Sequence, residues 1–184
     1  MRLKYYPNTI LILLISIAAS SCGGFLTGQN VESPTEYDLN KPERFKMRED
    51  LLEVSGITFH NGDPDIIYAI QDEDGRVYHF RPGDAKPGYT HFGKQGDYED
   101  VTVLNDNVIV LKSNGTFYSF PLANIKQEEQ NDVKQLKDLL PKGEYEGLYA
   151  DESAHKLYVL CKNCGAKKSD KIDGGYIFTA DGDS

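Results

Sequence analysis

Tyr98-Glu99-Asp100-Val101-Thr102, then Asn105-Asp106, Val108-Ile109-Val110-Leu111, Asn114-Gly115 and Phe117-Tyr118-Ser119-Phe120: residues 98–120 carry the pattern from which the fold is read. The three apolar runs are short and rich in β-branched and aromatic residues, as strands of a packed sheet are. The breaks between them are turn chemistry. Asn-Gly is a preferred centre of a two-residue hairpin because both central positions take positive φ. Residues 98–120 therefore read as strand, turn, strand, tight hairpin, strand.

The same pattern recurs on both sides. Upstream, Glu53-Val54-Ser55-Gly56-Ile57-Thr58 leads through Asn61-Gly62-Asp63 to Ile66–Ile70, then through Asp74-Gly75 to Val77-Tyr78-His79-Phe80. Downstream, Tyr145-Glu146-Gly147-Leu148-Tyr149 leads through Asp151-Glu152 to Leu157–Leu160, then through Gly174-Gly175 to Tyr176-Ile177-Phe178. Gly56, Asp100 and Gly147 align, at spacings of 44 and 47 residues. A fourth strand fits Tyr89–Phe92 and part of Val133–Leu140, although Leu136, Leu139 and Leu140 also fit a short helix. Four antiparallel strands per repeat of some 45 residues describe a β-propeller blade. A β-sandwich is the competing architecture, but it gives no reason for similarity at matching places in each unit. Three units are legible, and the third stops after its third strand. A closed propeller needs at least about four blades, so the expectation is an incomplete propeller, either truncated or completed by other chains, with truncation favoured.

The N-terminus carries a different message. Arg2 and Lys4 precede the apolar run Ile10–Ala19, and the small residues Ala19, Ser20 and Ser21 precede Cys22. The run is too short to span a bilayer, which takes about 20 apolar residues, and its layout is that of a cleaved signal. Cysteine directly after small residues resembles a bacterial lipoprotein signal, with Cys22 as the lipidated first residue, although Ala19 stands where such signals usually carry Leu. Residues 1–21 are thus expected to be removed, residues 22–50 to form a polar tether, and residues 51–184 to form the β-domain. The chain has 20 basic and 29 acidic residues, and loss of Arg2 and Lys4 takes the net charge to −11. That balance excludes a nucleic-acid partner, which calls for a basic patch. The expected membrane contact is the lipid, and the expected location the bacterial cell envelope.

Leu52-Glu53-Val54-Ser55-Gly56-Ile57, followed by Tyr68-Ala69-Ile70-Gln71-Asp72-Glu73, resembles the opening of the SdiA-regulated (YjiK-like) propeller family. Gly96–Val101 and Tyr145–Leu148 resemble its next two blade openings. The resemblance covers about residues 50–184. It implies an envelope-associated propeller, with analogy to calcium-dependent phytase-like and lactonase-like propellers, but little mechanism.

Carboxylates are the notable chemistry. With simple alternation along a strand, Glu99, Val101 and Val103 share one face, as do Glu146, Leu148 and Ala150, and Ser55 holds the equivalent place in the first unit. Glu99 and Glu146 then stand near the mouth of a central channel. Carboxylates converging on one axis repel unless protons or a cation intervene, and hard oxygen ligands suit Ca²⁺ or Mg²⁺. Asp72, Glu73 and Asp100 extend the candidate ligand set for Ca²⁺. The plainer alternatives are hydrogen-bonded caps for Glu99 and Glu146, and a solvated hairpin for Gln71–Gly75. Cys161 and Cys164 are expected to form a local disulfide, since zinc needs further ligands that the neighbourhood lacks. No Gly-x-Ser-x-Gly or His-Glu-x-x-His motif occurs, and none of the four histidines is assigned a catalytic role. The expected function is a binding or scaffold module for a small ligand, cation or envelope protein. The alternative is a cation-dependent hydrolase of a phosphoester or lactone.

Overall fold

The computed structural model describes residues 32–164 and 174–179. The expected signal segment and Cys22 lie outside the described residues. The chain divides into residues Met1–Arg44 and Phe45–Ser184. In the first unit the described residues are non-regular, with local turns such as Tyr37 N–H to the Pro34 carbonyl at 3.1 Å.

The second unit is all-β and contains three antiparallel sheets. Strands β1 (Val54–Thr58), β2 (Ile67–Gln71), β3 (Arg76–Phe80) and β4 (Gly88–His91) form the first, in sequence order. Strands β5 (Tyr98–Leu104), β6 (Asn107–Lys112), β7 (Phe117–Pro121) and β8 (Lys134–Leu136) form the second. Strands β9 (Glu144–Asp151), β10 (Lys156–Asn163) and β11 (Gly174–Thr179) form the third. The outer strands expected at Tyr89–Phe92 and within Val133–Leu140 are thus present as β4 and β8, and the described residues contain no helix longer than a single 3-10 turn. The turn at Asn105-Asp106 has φ of 49° and 56° at its two centres, the geometry that lets a two-residue loop follow the twist of its strands.

The sheets pack face to face through their alternating side chains. Tyr68, Ile70 and Val77 of the first sheet meet Val101, Val103, Val108, Val110 and Phe120 of the second. The opposite face of the second sheet, Leu104, Leu111 and Phe117, meets Leu148, Leu157 and Val159 of the third. Period-two alternation makes this possible: Val108 and Val110 look one way, and Ile109 and Leu111 the other. Full burial of each such side chain contributes roughly 1.5–3 kcal/mol. β5 lies beside both β1 and β9, so the first strands of the three sheets are neighbours. Each of the two later sheets opens on a buried tyrosine. The Tyr98 hydroxyl donates to the Lys94 carbonyl at 2.6 Å, and the Tyr145 hydroxyl donates to the Pro141 carbonyl at 2.7 Å.

Candidate functional site: a repeated bulge with paired carboxylates

The three first strands share one irregularity. Against β2, Val54 pairs with Gln71 and Gly56 with Ile70, which leaves Ser55 as an extra residue. Against β6, Tyr98 pairs with Lys112 and Asp100 with Leu111, which leaves Glu99. Against β10, Tyr145 pairs with Cys161 and Gly147 with Leu160, which leaves Glu146. A β-bulge of this kind re-aims the extra side chain. It also corrects the face assignment made from simple alternation. Tyr98, not Glu99, packs with Val101 and Val103, and Tyr145, not Glu146, packs with Leu148 and Ala150. The bulge shifts the phase by one residue and takes both glutamates off the packed faces.

At this end of the strands Glu99 and Glu146 feel one another. Burial pushes the Glu99 carboxyl up to about 7, the charges of Glu146 and Asp97 add to the rise, and Lys162 opposes it. Lys162 comes from the neighbouring β10. Its Nζ donates to Glu146 Oε1 at 2.9 Å and lies 4.0 Å from Glu144 Oε1. Asp97 accepts a hydrogen bond from the Ser113 hydroxyl at 2.5 Å. Lys162 thus pairs with Glu146 and Glu144 and acts on Glu99 at longer range, while Asp97 bears on Glu99 alone. A proton on Glu99 or a bound cation relieves the excess negative charge.

Asp100 does different work. Its Oδ2 accepts the Leu148 N–H at 2.7 Å across the boundary between the second and third sheets. Its Oδ1 accepts the Val101 N–H at 2.8 Å. On its other side lies Gly56 of the first sheet, where a Cβ would overlap Asp100 Oδ1. Asp100 is therefore a wedge between three first strands, and both of its oxygens are committed to backbone donors. Burial raises its pKa, against the lowering effect of those two bonds.

Asp72 and Glu73 follow β2. The Asp72 carbonyl accepts the Tyr98 N–H at 2.8 Å and the Glu73 carbonyl accepts the Gly96 N–H at 2.9 Å, so their backbones latch the first sheet to the second. Asp72 Oδ1 is buried without a hydrogen-bond partner. Among the described residues, no three His, Cys, Asp or Glu side chains converge to hold a metal ion. The five candidate ligands therefore divide: Glu99 and Glu146 are coupled, Asp100 is a structural wedge, and Asp72 and Glu73 belong to the neighbouring latch. Cys161 and Cys164 are disulfide-bonded with Cα atoms 5.9 Å apart, and Cys161 sits in the core between the second and third sheets.

The opposite ends of the same strands border an open trough of about 770 Å³, lined by Ile57 and Phe59, Thr102, Tyr149 and Asp151 among others. Here His60 joins three turns. Its Nδ1 lies 3.2 Å from Glu152 Oε1 and its Nε2 3.5 Å from Asp106 Oδ1, distances that fit ion pairs when the ring is protonated. His155 Nδ1 lies 3.2 Å from Asn105 Oδ1. Sequence reasoning missed the roles of Lys162, Asp97 and His60. Each acts on a partner from another strand or sheet, and only the register and the sheet stacking reveal that partner.

No family model matches the chain, and no curated protein matches it. Among solved structures it is similar to the N-terminal domain of Nup159, with 13% identity and a TM-score of 0.41 over 78% of this chain and 35% of that one. It is also similar to the PQQ-bound form of aldose sugar dehydrogenase from Streptomyces coelicolor, with 15% identity and a TM-score of 0.41 over 68% of this chain and 43% of that one. The chain spans less than half the length of either. A likeness of this degree says nothing of ligand or activity.

Proposed function

We propose that the three sheets are blades of a β-propeller and that the domain is a binding module of the bacterial cell envelope, held at a membrane by a lipid on Cys22, with a cation as its ligand at the Glu99–Glu146 mouth. The observation that carries the reading is the repeated bulge, which sets Ser55, Glu99 and Glu146 at the same place on neighbouring strands. A pair of carboxylates with Asp97 beside it favours a hard divalent ion, Ca²⁺ first, because such ions take oxygen ligands and fill the remaining positions with water or with a ligand's own oxygens. Lys162 is the competitor that a cation displaces from Glu146. The resemblance of Leu52–Ile57 with Tyr68–Glu73, Gly96–Val101 and Tyr145–Leu148 to SdiA-regulated propellers supports the propeller and the envelope setting.

The alternative is a cation-dependent hydrolase of a phosphoester or lactone, with Glu99 and Glu146 as the ion's ligands and an ion-bound water, its pKa lowered by the metal, as the nucleophile.

The test is a calorimetric titration of the purified chain with Ca²⁺, alone and with Glu99→Gln/Glu146→Gln. Binding by the parent chain that the double variant loses supports the assignment, and equal binding by both refutes it. Turnover of a phosphate monoester or a lactone that disappears in Glu99→Gln separates the hydrolase from the binding module. Cys22→Ala is expected to move the protein out of the membrane fraction or to block its processing, and membrane retention with normal cleavage rules the lipid anchor out.

A further inference from the structure

Acidic residues outnumber basic ones in this chain, 29 to 20, yet one pocket has the opposite sign. It lies between the β6–β7 hairpin and the 137–143 segment that leads from β8 to β9, and its volume is about 550 Å³. Lys112, Lys137 and Lys142 line it, against one carboxylate, Asp138. The lysine and arginine ion pairs of the described residues lie elsewhere, at Lys41, Arg48, Arg76 and Lys162. Among the described residues the three pocket lysines therefore have no carboxylate partner, Asp138 included. Lys112 Nζ rests 5.6 Å from the centre of the Tyr98 ring, which holds the ammonium without neutralising it. A concave surface lined by one sign of charge concentrates ions of the other sign.

The walls of the pocket are fixed in place. Tyr145, fully buried, clamps both: its N–H donates to the Ser113 carbonyl at 2.9 Å and its hydroxyl donates to the Pro141 carbonyl at 2.7 Å. Gly115 takes φ of 81° and packs so closely on the Tyr145 ring that a Cβ there would stand 2.9 Å from Cε2. Neutral donors stand with the lysines. Thr116 is 7% exposed and lines the pocket, and among the described residues no hydrogen bond reaches its hydroxyl. Asn114 Oδ1 accepts the Thr116 N–H at 3.1 Å, which leaves the Asn114 amide hydrogens for another acceptor. This donor set selects its anion. A planar carboxylate suits the forked guanidinium of arginine, whereas lysine holds phosphate as a point charge. No arginine is among the described lining residues.

We propose that this pocket binds a small soluble phosphate monoester, with the phosphate oxygens on Lys112, Lys137, Lys142 and the Thr116 hydroxyl. The volume falls in the range of roughly 300–1,000 Å³ typical of small-molecule sites, so an organic group has room beside the phosphate, against Leu140 and Pro141. The site uses neither Glu99 nor Glu146, and it stands or falls independently of cation binding and of hydrolysis.

The experiment is calorimetric titration of the full chain in neutral detergent with glycerol 3-phosphate, in the presence of a chelator so that no bound metal carries the anion. The variants are Lys137→Gln/Lys142→Gln, at two exposed positions, and Thr116→Val, which removes the hydroxyl and keeps the shape. Lys134→Gln, at an exposed lysine outside the pocket, is the control. The expected result is saturable binding by the parent chain and by Lys134→Gln, and none of glycerol. The dissociation constant should rise about tenfold in the double lysine variant, as loss of charged hydrogen bonds predicts, and about threefold in Thr116→Val. Far-UV spectra of all variants should match the parent. Absence of binding by the parent overturns the proposal, as does equal binding by Lys137→Gln/Lys142→Gln. An equal loss in Lys134→Gln overturns it too, since the attraction would then belong to overall charge. Capture of phosphatidic acid vesicles without binding of glycerol 3-phosphate would place the phosphate on a lipid headgroup and overturn the soluble ligand.

Discussion

Replacing Asp100 with alanine tests the wedge directly. The change strips two backbone amides of their acceptor, the Val101 N–H at 2.8 Å and the Leu148 N–H at 2.7 Å. A hydrogen bond to a charged group contributes about 1.5–3 kcal/mol, and a buried donor left without a partner costs about 1–3 kcal/mol. Against this, Asp100 is itself desolvated enough for its pKa to rise despite both bonds, so the folded state carries a penalty for the ionised carboxylate that alanine removes. The net expectation is a loss of about 2–3 kcal/mol, most of it from Leu148 N–H stranded between sheets. Asp100→Asn keeps one acceptor oxygen and sheds the buried charge, so it should cost about 1 kcal/mol or less. Urea unfolding followed by far-UV circular dichroism measures both, since the chain has no tryptophan. The contact with Gly56 supplies a second arm. Gly56→Ala should destabilise, because its Cβ would overlap Asp100 Oδ1, and Gly56→Ala/Asp100→Gly should cost less than the two single changes together by about 1 kcal/mol. An Asp100→Ala variant within about 0.5 kcal/mol of the parent, or strictly additive costs at 56 and 100, would refute the wedge.

Two further predictions concern the neighbouring groups. Glu99 has its pKa raised from 4.5 to about 7 on folding, so the folded state holds the proton more tightly, and stability should fall as pH rises from about 4.5 to about 7 and level off above. Differential scanning calorimetry should show the melting temperature of Glu99→Gln gaining on the parent across that interval, and a constant difference between them would refute the raised pKa that burial and the neighbouring carboxylates give Glu99. The Cys161–Cys164 bridge closes a short loop, so chain entropy assigns it about 2 kcal/mol. Reduction by a phosphine should lower stability by about that amount with the far-UV spectrum retained, whereas complete unfolding would mean that the bridge is a condition of the third sheet's existence.

Residues 53–178 announce their strands locally. Valine, isoleucine and tyrosine runs broken by Asp-Gly and Asn-Gly mark where strands begin and end, because turn geometry depends on two residues at a time, whereas Gly174-Gly175, expected as a turn, lies inside β11 and pairs with Cys161 and Leu160. The repeat of Gly56, Asp100 and Gly147 likewise made three similar units legible. The candidate site was legible only as residue types, since Ser55, Glu99 and Glu146 stand at matching places in the repeat. Their orientation was not, because a bulge changes the phase of alternation and is set by pairing with β2, β6 and β10, not by the strand's own residues. Lys162 reaches Glu146 through the register of β10 on β9, and Asp100 reaches Leu148 across two sheets and 48 residues. By itself, then, the sequence determined the strands, the turns, the repeat and the charge balance, all of which follow from short-range conformational preference and composition. The tertiary structure decided which carboxylate is a wedge and which two are coupled beside Lys162, and which apolar face is covered, because partnership and burial depend on residues that only stacking brings together.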